Sequence, residues 1–342
     1  MFNTLKKTSL ALLVVSTALF QFSCKDKDAE ADKVGNWYRQ GIPDFGGTPR
    51  SGTVSFVIGD KGYIGTGRTN ETISRVKDMW SFTGKSWSQV ADFPGTGRQD
   101  AISFVVGSKA YVGTGYDGNT LVDNGYKKDF YEYDPATNKW KQIADFPMLR
   151  SNASSFVLGN KGYVGLGSIN ITTMYQDFYS YDPANNTWSS SVANFTGGKR
   201  KGANAFVLGG KAYVGFGQNN SQVPTKDLYQ FDPAANSWTR LESTNDNLTA
   251  RAFGFTLVMN EKAYIIGGSG VSDVWQYDAG TNTWVAMTPF ENGARSYAAG
   301  FTLKDATGKE IGYLGTGLAG GSQNTDDLWA FDPAAAVNAD DN

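Results

Sequence analysis

Short apolar segments bounded by glycine alternate with polar loops along most of the chain. Two of them read SFVVG at residues 103–107 and KAYVGTG at residues 109–115. Their length, their β-branched and aromatic residues and the glycines at their ends are typical of strands. No segment of this region keeps a helical period over several turns, so the pattern predicts an all-β fold.

One phrase of this pattern occurs six times. It consists of an arginine, an apolar strand, the stretch G-x-K-x-Y-[VI]-G-x-G, a polar loop, an aspartate with an aromatic strand, and Asn-x-Trp, with local departures in the first, fifth and sixth copies. The second copy shows it complete, from Arg98 through Asp129 to Trp140. Asp-Pro-Ala-x-Asn stretches such as residues 134–138 have the chemistry of turns. Such a turn joins the aromatic third strand to a fourth strand that carries the tryptophan, so each copy predicts four strands.

The copies follow one another at a nearly constant spacing of 44 to 52 residues. The arginines that open them are Arg50, Arg98, Arg150, Arg200, Arg251 and Arg295. A period near 50 residues with four strands is the size of a Kelch propeller blade. The copies resemble the Kelch-repeat family of β-propellers over residues 36–333. The family often has a Gly-Gly pair after the second strand, and here only Gly267-Gly268 keeps it. The resemblance implies six four-stranded blades around a central channel.

The sixth copy ends without its tryptophan, and a segment near the N-terminus can replace it. Trp37 lies 50 residues before Trp87, and NWYRQGIPDF at residues 36–45 is similar to KWKQIADF at residues 139–146. We expect this segment to supply the outer strand of the last blade. Both chain ends would then pair in one sheet and close the ring without a free edge.

The first residues have the features of an export signal. Two lysines precede an apolar run of 15 residues, Thr8 to Phe22, which is short for a membrane span of about 20 residues. Cys24, the only cysteine, follows this run. The arrangement resembles a bacterial lipobox, although Gln21 stands where that pattern favours leucine. The alternative is an ordinary signal peptide followed by an unrelated cysteine.

The lipobox resemblance implies lipidation at Cys24 and a lipid-anchored protein of the bacterial cell envelope. The outer membrane is the expected location, on its periplasmic or its surface side. The predicted organisation is a signal peptide at 1–23, a lipidated tether at 24–35, the propeller at 36–333 and a C-terminal tail at 334–342.

Composition excludes several kinds of chemistry. The 342 residues contain no histidine and one cysteine, so the chain has no Ser-His-Asp triad, no histidine-ligated metal and no intrachain disulfide. The copper site of galactose oxidase, a Kelch propeller, needs histidine ligands and is therefore excluded. With 31 Lys and Arg against 33 Asp and Glu, the net charge of −2 does not favour nucleic acid. We expect no cofactor and no metal.

The repeated arginines have two interpretations. Each opens an innermost strand, so the six should surround one mouth of the central channel. They would either bond neighbouring backbone carbonyls or form a positive ring for an anionic or polyhydroxylated ligand. Other residues present in every copy are expected to be structural. These are the tryptophans Trp37, Trp87, Trp140, Trp188, Trp238 and Trp284, and the aspartates Asp78, Asp129, Asp177, Asp227, Asp273 and Asp327.

Two residues after each arginine the copies differ. The six divergent positions are Gly52, Asp100, Asn152, Gly202, Phe253 and Tyr297. Divergence at the mouth of a rigid ring indicates ligand contacts. We predict a ligand site formed by the six arginines with Asp100, Asn152 and Tyr297. Asp100 is the only carboxylate of the divergent set and the candidate for catalysis. A second candidate is the long loop of blade 2, residues 116–128.

The function predicted from these observations is a monomeric, non-catalytic binding or assembly module for a glycan or protein ligand. Its contact with the membrane would be made only through the lipid anchor. Eukaryotic Kelch adaptors bind peptides at the same face. The resemblance implies that this face of the chain binds the ligand, but it implies no role for single residues. The alternative is a sugar epimerase or mutarotase resembling N-acetylneuraminate epimerase. In that case Asp100 would act as the base, and the arginines would bind the carboxylate of the sugar.

Overall fold

The computed structural model describes residues 34–70 and 74–338. They form six four-stranded antiparallel sheets, and the one helical element in these residues is a 3-10 turn at Asp123–Gly125. The first strands of successive sheets lie side by side, and the first strand of the sixth sheet lies beside that of the first. The sheets therefore surround a central channel as blades, which confirms the all-β, Kelch-type propeller fold.

Within each blade, neighbouring strands follow the order of the chain. Blade 1 contains Val54–Ile58, Lys61–Gly65, Met79–Phe82 and Trp87–Val90. Blade 2 contains Ile102–Val106, Lys109–Gly113, Phe130–Asp134 and Lys139–Gln142. Blade 3 contains Ser154–Leu158, Lys161–Gly165, Phe178–Asp182 and Thr187–Ser189. Blade 4 contains Asn204–Leu208, Lys211–Gly215, Leu228–Asp232 and Ser237–Leu241. Blade 5 contains Phe255–Met259, Lys262–Ile266, Val274–Asp278 and Thr283–Met287. Blade 6 contains Ala299–Lys304, Glu310–Gly315, Leu328–Asp332 and the N-terminal strand Asn36–Tyr38.

Short additional pairs of strands begin with three of the repeated arginines. They are Arg50–Ser51 with Arg68–Thr69, Arg200–Lys201 with Gln218–Asn219, and Arg295–Ser296 with Leu318–Ala319, which also pairs Gln323–Asn324. These pairs join the start of a blade to the loop after its second strand. They fix those loops around one end of the channel.

The core lies between blades. Phe56 and Tyr63 of blade 1 stack at 4.9 Å, and Tyr63 meets the edge of Tyr133 of blade 2 at 5.8 Å. Close packing of this kind requires glycine at Gly62, because a Cβ there would lie 2.5 Å from the ring of Phe301. The repeated aromatic residues thus hold each blade against the next.

The N-terminal strand closes the ring as expected from the sequence. Trp37 pairs with Phe331 in the register of Asn36–Tyr38 against Leu328–Asp332. The Trp37 side chain is fully buried, its ring stacks on Phe331 at 4.5 Å, and its Nε1 donates to the Thr288 carbonyl at 3.3 Å. The last blade is therefore built from both ends of the propeller.

The predicted signal peptide, Cys24 and the tether up to residue 33 lie outside the described residues. Among the residues that are described, no helix is both long and apolar enough to cross a membrane.

Candidate functional site

Each repeated arginine is buried and paired with the repeated aspartate of its own blade. In the first blade, Arg50 Nη1 and Nη2 lie 2.6 and 2.9 Å from the two carboxylate oxygens of Asp78. The six pairs are Arg50–Asp78, Arg98–Asp129, Arg150–Asp177, Arg200–Asp227, Arg251–Asp273 and Arg295–Asp327. Five of the pairs are bidentate, and the fifth blade has a single contact of 2.7 Å between Arg251 Nη2 and Asp273 Oδ2.

A carbonyl and an aromatic ring complete the surroundings of each guanidinium group. Arg98 Nη1 also donates to the Thr114 carbonyl at 3.0 Å, and its guanidinium carbon lies 4.7 Å from the centre of the Phe93 ring. The six arginines are at most 1 % exposed. These contacts occupy both Nη atoms of all six guanidinium groups, and the Nε atoms of Arg150, Arg200 and Arg295, which have no partner, are buried. They favour the structural interpretation of the arginines and do not support their predicted role in ligand binding.

The ion pair of blade 6 also changes the pKa of its aspartate. Burial acts to raise the pKa of Asp327, but hydrogen bonds from Arg295 and its positive charge outweigh burial and lower that pKa to about 2. The carboxylate of Asp327 is thus held ionised next to its arginine.

The six divergent residues meet at the channel mouth, the end of the channel where the arginines open the blades. Their backbones form a closed circle, in which each N–H donates to the carbonyl of the residue from the preceding blade at 2.8–3.1 Å. In order around the circle they are Gly52, Asp100, Asn152, Gly202, Phe253 and Tyr297. All six have a φ between +53° and +64°. Four of them are not glycine, so the circle maintains a backbone conformation that costs free energy, as often seen at functional sites.

The circle is the floor of a pocket of about 140 Å³ with a polar half and an aromatic half. Asp100 and Asn152 form the polar half, and the rings of Phe253 and Tyr297 form the aromatic half, stacked at 4.4 Å. Gly52 and Gly202 separate the halves. The Phe253 ring occupies the space above Gly202, where a Cβ would lie 2.3 Å from it.

Asp100 has a side-chain oxygen without a hydrogen-bond partner next to Gly52. Its Oδ2 accepts a hydrogen bond from Gln99 Nε2 at 2.8 Å, whereas the buried Oδ1 has no partner among the described residues. Gln99 Oε1 and Arg75 Nε are also buried, and they have no hydrogen-bond partner among the described residues. Burial raises the pKa of the Asp100 carboxyl, and the neighbouring side chains of Gln99 and Asn152 act in the opposite direction.

Three cationic side chains interact electrostatically with the Asp100 carboxylate. The first is Arg75, which stacks over the ring of Tyr116 at 4.6 Å, and the other two are Arg68 and Lys201. Burial lowers the pKa of Arg75 and of Lys201, and the Asp100 charge acts to raise both. None of the three forms an ion pair with another residue in the ranges 34–70 and 74–338.

The structure thus brings together Asp100, Asn152 and Tyr297 of the predicted site and keeps the six arginines apart from it. Sequence reasoning missed Arg75, Gln99 and Lys201. Gln99 and Lys201 follow directly after repeated arginines, which was a usable signal, whereas Arg75 lies in the loop between the second and third strands, whose sequence differs from copy to copy. Among the described residues, no cluster of His, Cys, Asp or Glu could hold a metal ion.

Comparison with known proteins agrees with this architecture. Residues 123–268 match a family model described as the KLHDC2/KLHL20/DRC7 Kelch-repeats domain. A solved structure titled "Structure of YjhT" is similar with a TM-score of 0.69 and 20% sequence identity, over 84% of this chain and 95% of that one. No curated protein matches the chain. The fold is therefore that of a Kelch-type β-propeller, and the family model covers its residues 123–268.

Proposed function

We propose that this propeller is a non-catalytic module that binds a glycan carrying an acidic group at the channel mouth. The observation that supports this proposal is the two-faced pocket above the circle. The stacked rings of Phe253 and Tyr297 suit the apolar face of a sugar, and the free Asp100 Oδ1 suits its hydroxyl groups. The unpaired Arg75 and Lys201 suit a carboxylate or sulfate.

The size of the pocket favours a glycan over a protein ligand. About 140 Å³ is room for part of one sugar residue, and the polar residues Asp100 and Asn152 are neighbours in the circle. A glycan array probed with the protein is the direct test. We expect acidic glycans among the bound ones, and weaker binding of the same glycans after their carboxyl groups are reduced to alcohols. Equal binding of both forms would contradict the role of the cations.

Asp100→Asn is expected to weaken glycan binding roughly ten- to a hundredfold, because a hydrogen bond to a charged acceptor is lost. The same change should leave the melting temperature at pH 7 unchanged or raise it. Because the pKa of Asp100 is raised in the folded protein, its stabilising effect is complete only below the ordinary pKa of an aspartic acid and is lost as the pH rises through the raised pKa. Asparagine imitates the protonated acid and avoids this loss.

Isothermal titration and thermal melting of the wild type and Asp100→Asn check both parts. The matched control is Asp134→Asn, since Asp134 ends the third strand of blade 2, at the opposite end of the blade, and accepts a hydrogen bond from the Ala136 N–H in the turn that follows. It should bind the glycan like the wild type. Unchanged binding by Asp100→Asn would place the ligand elsewhere, with the loop at 116–128 as the next candidate.

The raised pKa of Asp100 also favours a second candidate, a sugar epimerase or mutarotase. A carboxyl group whose pKa is raised toward neutrality is better suited to exchange protons with a substrate. Exchange between the anomers or epimers of a bound sugar can be followed by NMR. Acceleration by the wild type and not by Asp100→Asn would replace the binding function by this catalytic one.

We also propose that the module is anchored to the bacterial envelope by acyl chains on Cys24. Asn36 pairs with Asp332, at the end of its strand away from the Arg295–Asp327 pair. The described chain therefore begins on the face opposite the channel mouth, which leaves the mouth accessible. Labelling with a fatty-acid analogue should mark the wild type and not Cys24→Ser. Equal labelling of both would refute acylation at this residue.

A further inference from the structure

Three of the linkers that connect successive blades share one set of hydrogen bonds from their backbone groups to the neighbouring blades. In the linker between blades 1 and 2, Ala91 N–H donates to Asn138 Oδ1 at 2.9 Å. The Ala91 carbonyl accepts from Trp140 Nε1 at 2.9 Å. Two residues on, Phe93 N–H donates to the Lys77 carbonyl at 2.8 Å. The blades thus recognise one N–H, the carbonyl of the same residue, and a second N–H.

The next two linkers repeat this set. Between blades 2 and 3, the partners of the linker are Asn186, Trp188 and the Lys128 carbonyl. Between blades 3 and 4 they are Asn236, Trp238 and the Gln176 carbonyl. The three bonds depend on backbone groups of the linker and not on its side chains, so any extended peptide of suitable shape can make them.

The linker between blades 4 and 5 does not make these bonds. It has nine residues, 242–250, against six at 144–149, and Leu248 stands where the other linkers have phenylalanine. It folds on itself, with Leu248 N–H donating to the Asn245 carbonyl at 3.3 Å. Phe216 takes over the aromatic contact with Trp284, at a ring distance of 5.7 Å.

The equivalent recognition groups at this junction are Asn282, Trp284 and the Lys226 carbonyl. Within the described ranges, Asn282 Oδ1 accepts only from the Tyr277 hydroxyl, Trp284 Nε1 donates no hydrogen bond, and no N–H reaches the Lys226 carbonyl. The linker meets this junction through other atoms, because Asn282 Nδ2 donates to the Glu242 carbonyl and Asn245 Nδ2 donates to the Trp284 carbonyl. Asn282, Trp284 and Lys226 line a pocket of about 390 Å³, which we call the junction pocket. Its larger size than the mouth pocket follows from the detour of the linker.

We propose that the junction pocket binds an extended peptide segment of a partner protein, which takes the place of the missing linker. The segment would donate one N–H to Asn282, accept from Trp284 with the carbonyl of the same residue, and donate a second N–H to the Lys226 carbonyl. The charged groups around the pocket are two cations, Lys226 and Arg240, the carboxylates Glu242 and Asp246, and Asp227, whose charge is paired with that of Arg200. This balance of charge suits a neutral backbone better than an ion. The site is independent of the proposed glycan site at the channel mouth.

The probe that tests this proposal is a fluorescent peptide with the sequence QIADFP, which is residues 142–147 of the chain itself. At its own junction this sequence makes all three bonds. Anisotropy titration with the full chain should show saturable binding. The control peptide carries an N-methyl group on its phenylalanine and lacks the second N–H, so we expect its affinity to fall roughly fivefold or more. Asp100→Asn should bind the probe like the wild type.

Two variants locate the binding. In the first, residues 242–250 are replaced by ADFPML, the sequence of residues 144–149, which should fill the junction pocket and abolish binding of the probe. In the second, Trp284→Phe keeps an aromatic ring but removes the indole N–H, and should weaken binding several-fold. The second variant decides the question where the first does not fold. Absence of saturable binding by the wild type up to about 1 mM, or undiminished binding by a folded variant, would overturn the proposal.

Discussion

Trp37→Ala is expected to lower the free energy of unfolding by about 3–5 kcal/mol, the range for a fully buried aromatic side chain. Trp37 is 0% exposed, meets the edge of Phe290 at 4.8 Å and stacks on Phe331. The substitution removes these contacts and the hydrogen bond to the Thr288 carbonyl. Chemical denaturation followed by fluorescence measures the change. Val34→Ala is the control from the same segment, because Val34 is 49% exposed and its loss should change stability little.

Deletion of residues 34–49 extends this test from one side chain to the whole closing strand. It removes the ladder to Leu328–Asp332 and leaves that strand as an open edge. An open edge can pair with other molecules, so we expect both a lower melting temperature and self-association. Melting of either variant like the wild type would mean that the N-terminal strand does not close the ring.

The fold was predictable because the repeat supplies its own comparison. Six copies of one phrase identify the blades, and the one tryptophan missing from the sixth copy identifies Trp37 as the closing residue. Comparison of the copies also shows the longer linker at 242–250, with Leu248 in place of phenylalanine. It does not show that this linker leaves recognition groups of the junction pocket without partners. Which backbone groups a linker leaves unpaired depends on its path in three dimensions.

The candidate site was predicted only in part. Both the arginines and the aspartates were recognised as repeated, yet their pairing was missed, because the separation of the two partners varies from 22 to 32 residues. The arginine–aspartate contact is present in every blade, but loops of different length between the second and third strands change the separation of the two residues in the sequence. The divergent positions were correctly expected to mark the channel mouth. Their hydrogen-bonded circle was not predictable, since phenylalanine and tyrosine seldom adopt a positive φ.

Arg98→Ala is expected to destabilise the protein by about 3–5 kcal/mol, because it leaves the carboxylate of Asp129 without its partner in a largely buried place. Arg98 is 0% exposed and donates five hydrogen bonds, two of them to Asp129. A role limited to ligand binding would predict a folded variant with normal melting. The pairing seen in all six blades predicts the opposite.

The double variant Arg98→Met with Asp129→Leu separates the charge from the packing. Replacing both partners by apolar side chains leaves no unpaired charge, so this variant should be more stable than Arg98→Ala, although the carbonyl of Thr114 still loses its donor. Denaturation midpoints of the wild type, both single variants and the double variant complete the cycle. Normal unfolding of Arg98→Ala together with weaker glycan binding would return the arginines to the ligand site. Strong destabilisation that the double variant partly reverses would identify the six arginines as the buried cations that fix the start of each blade to its third strand.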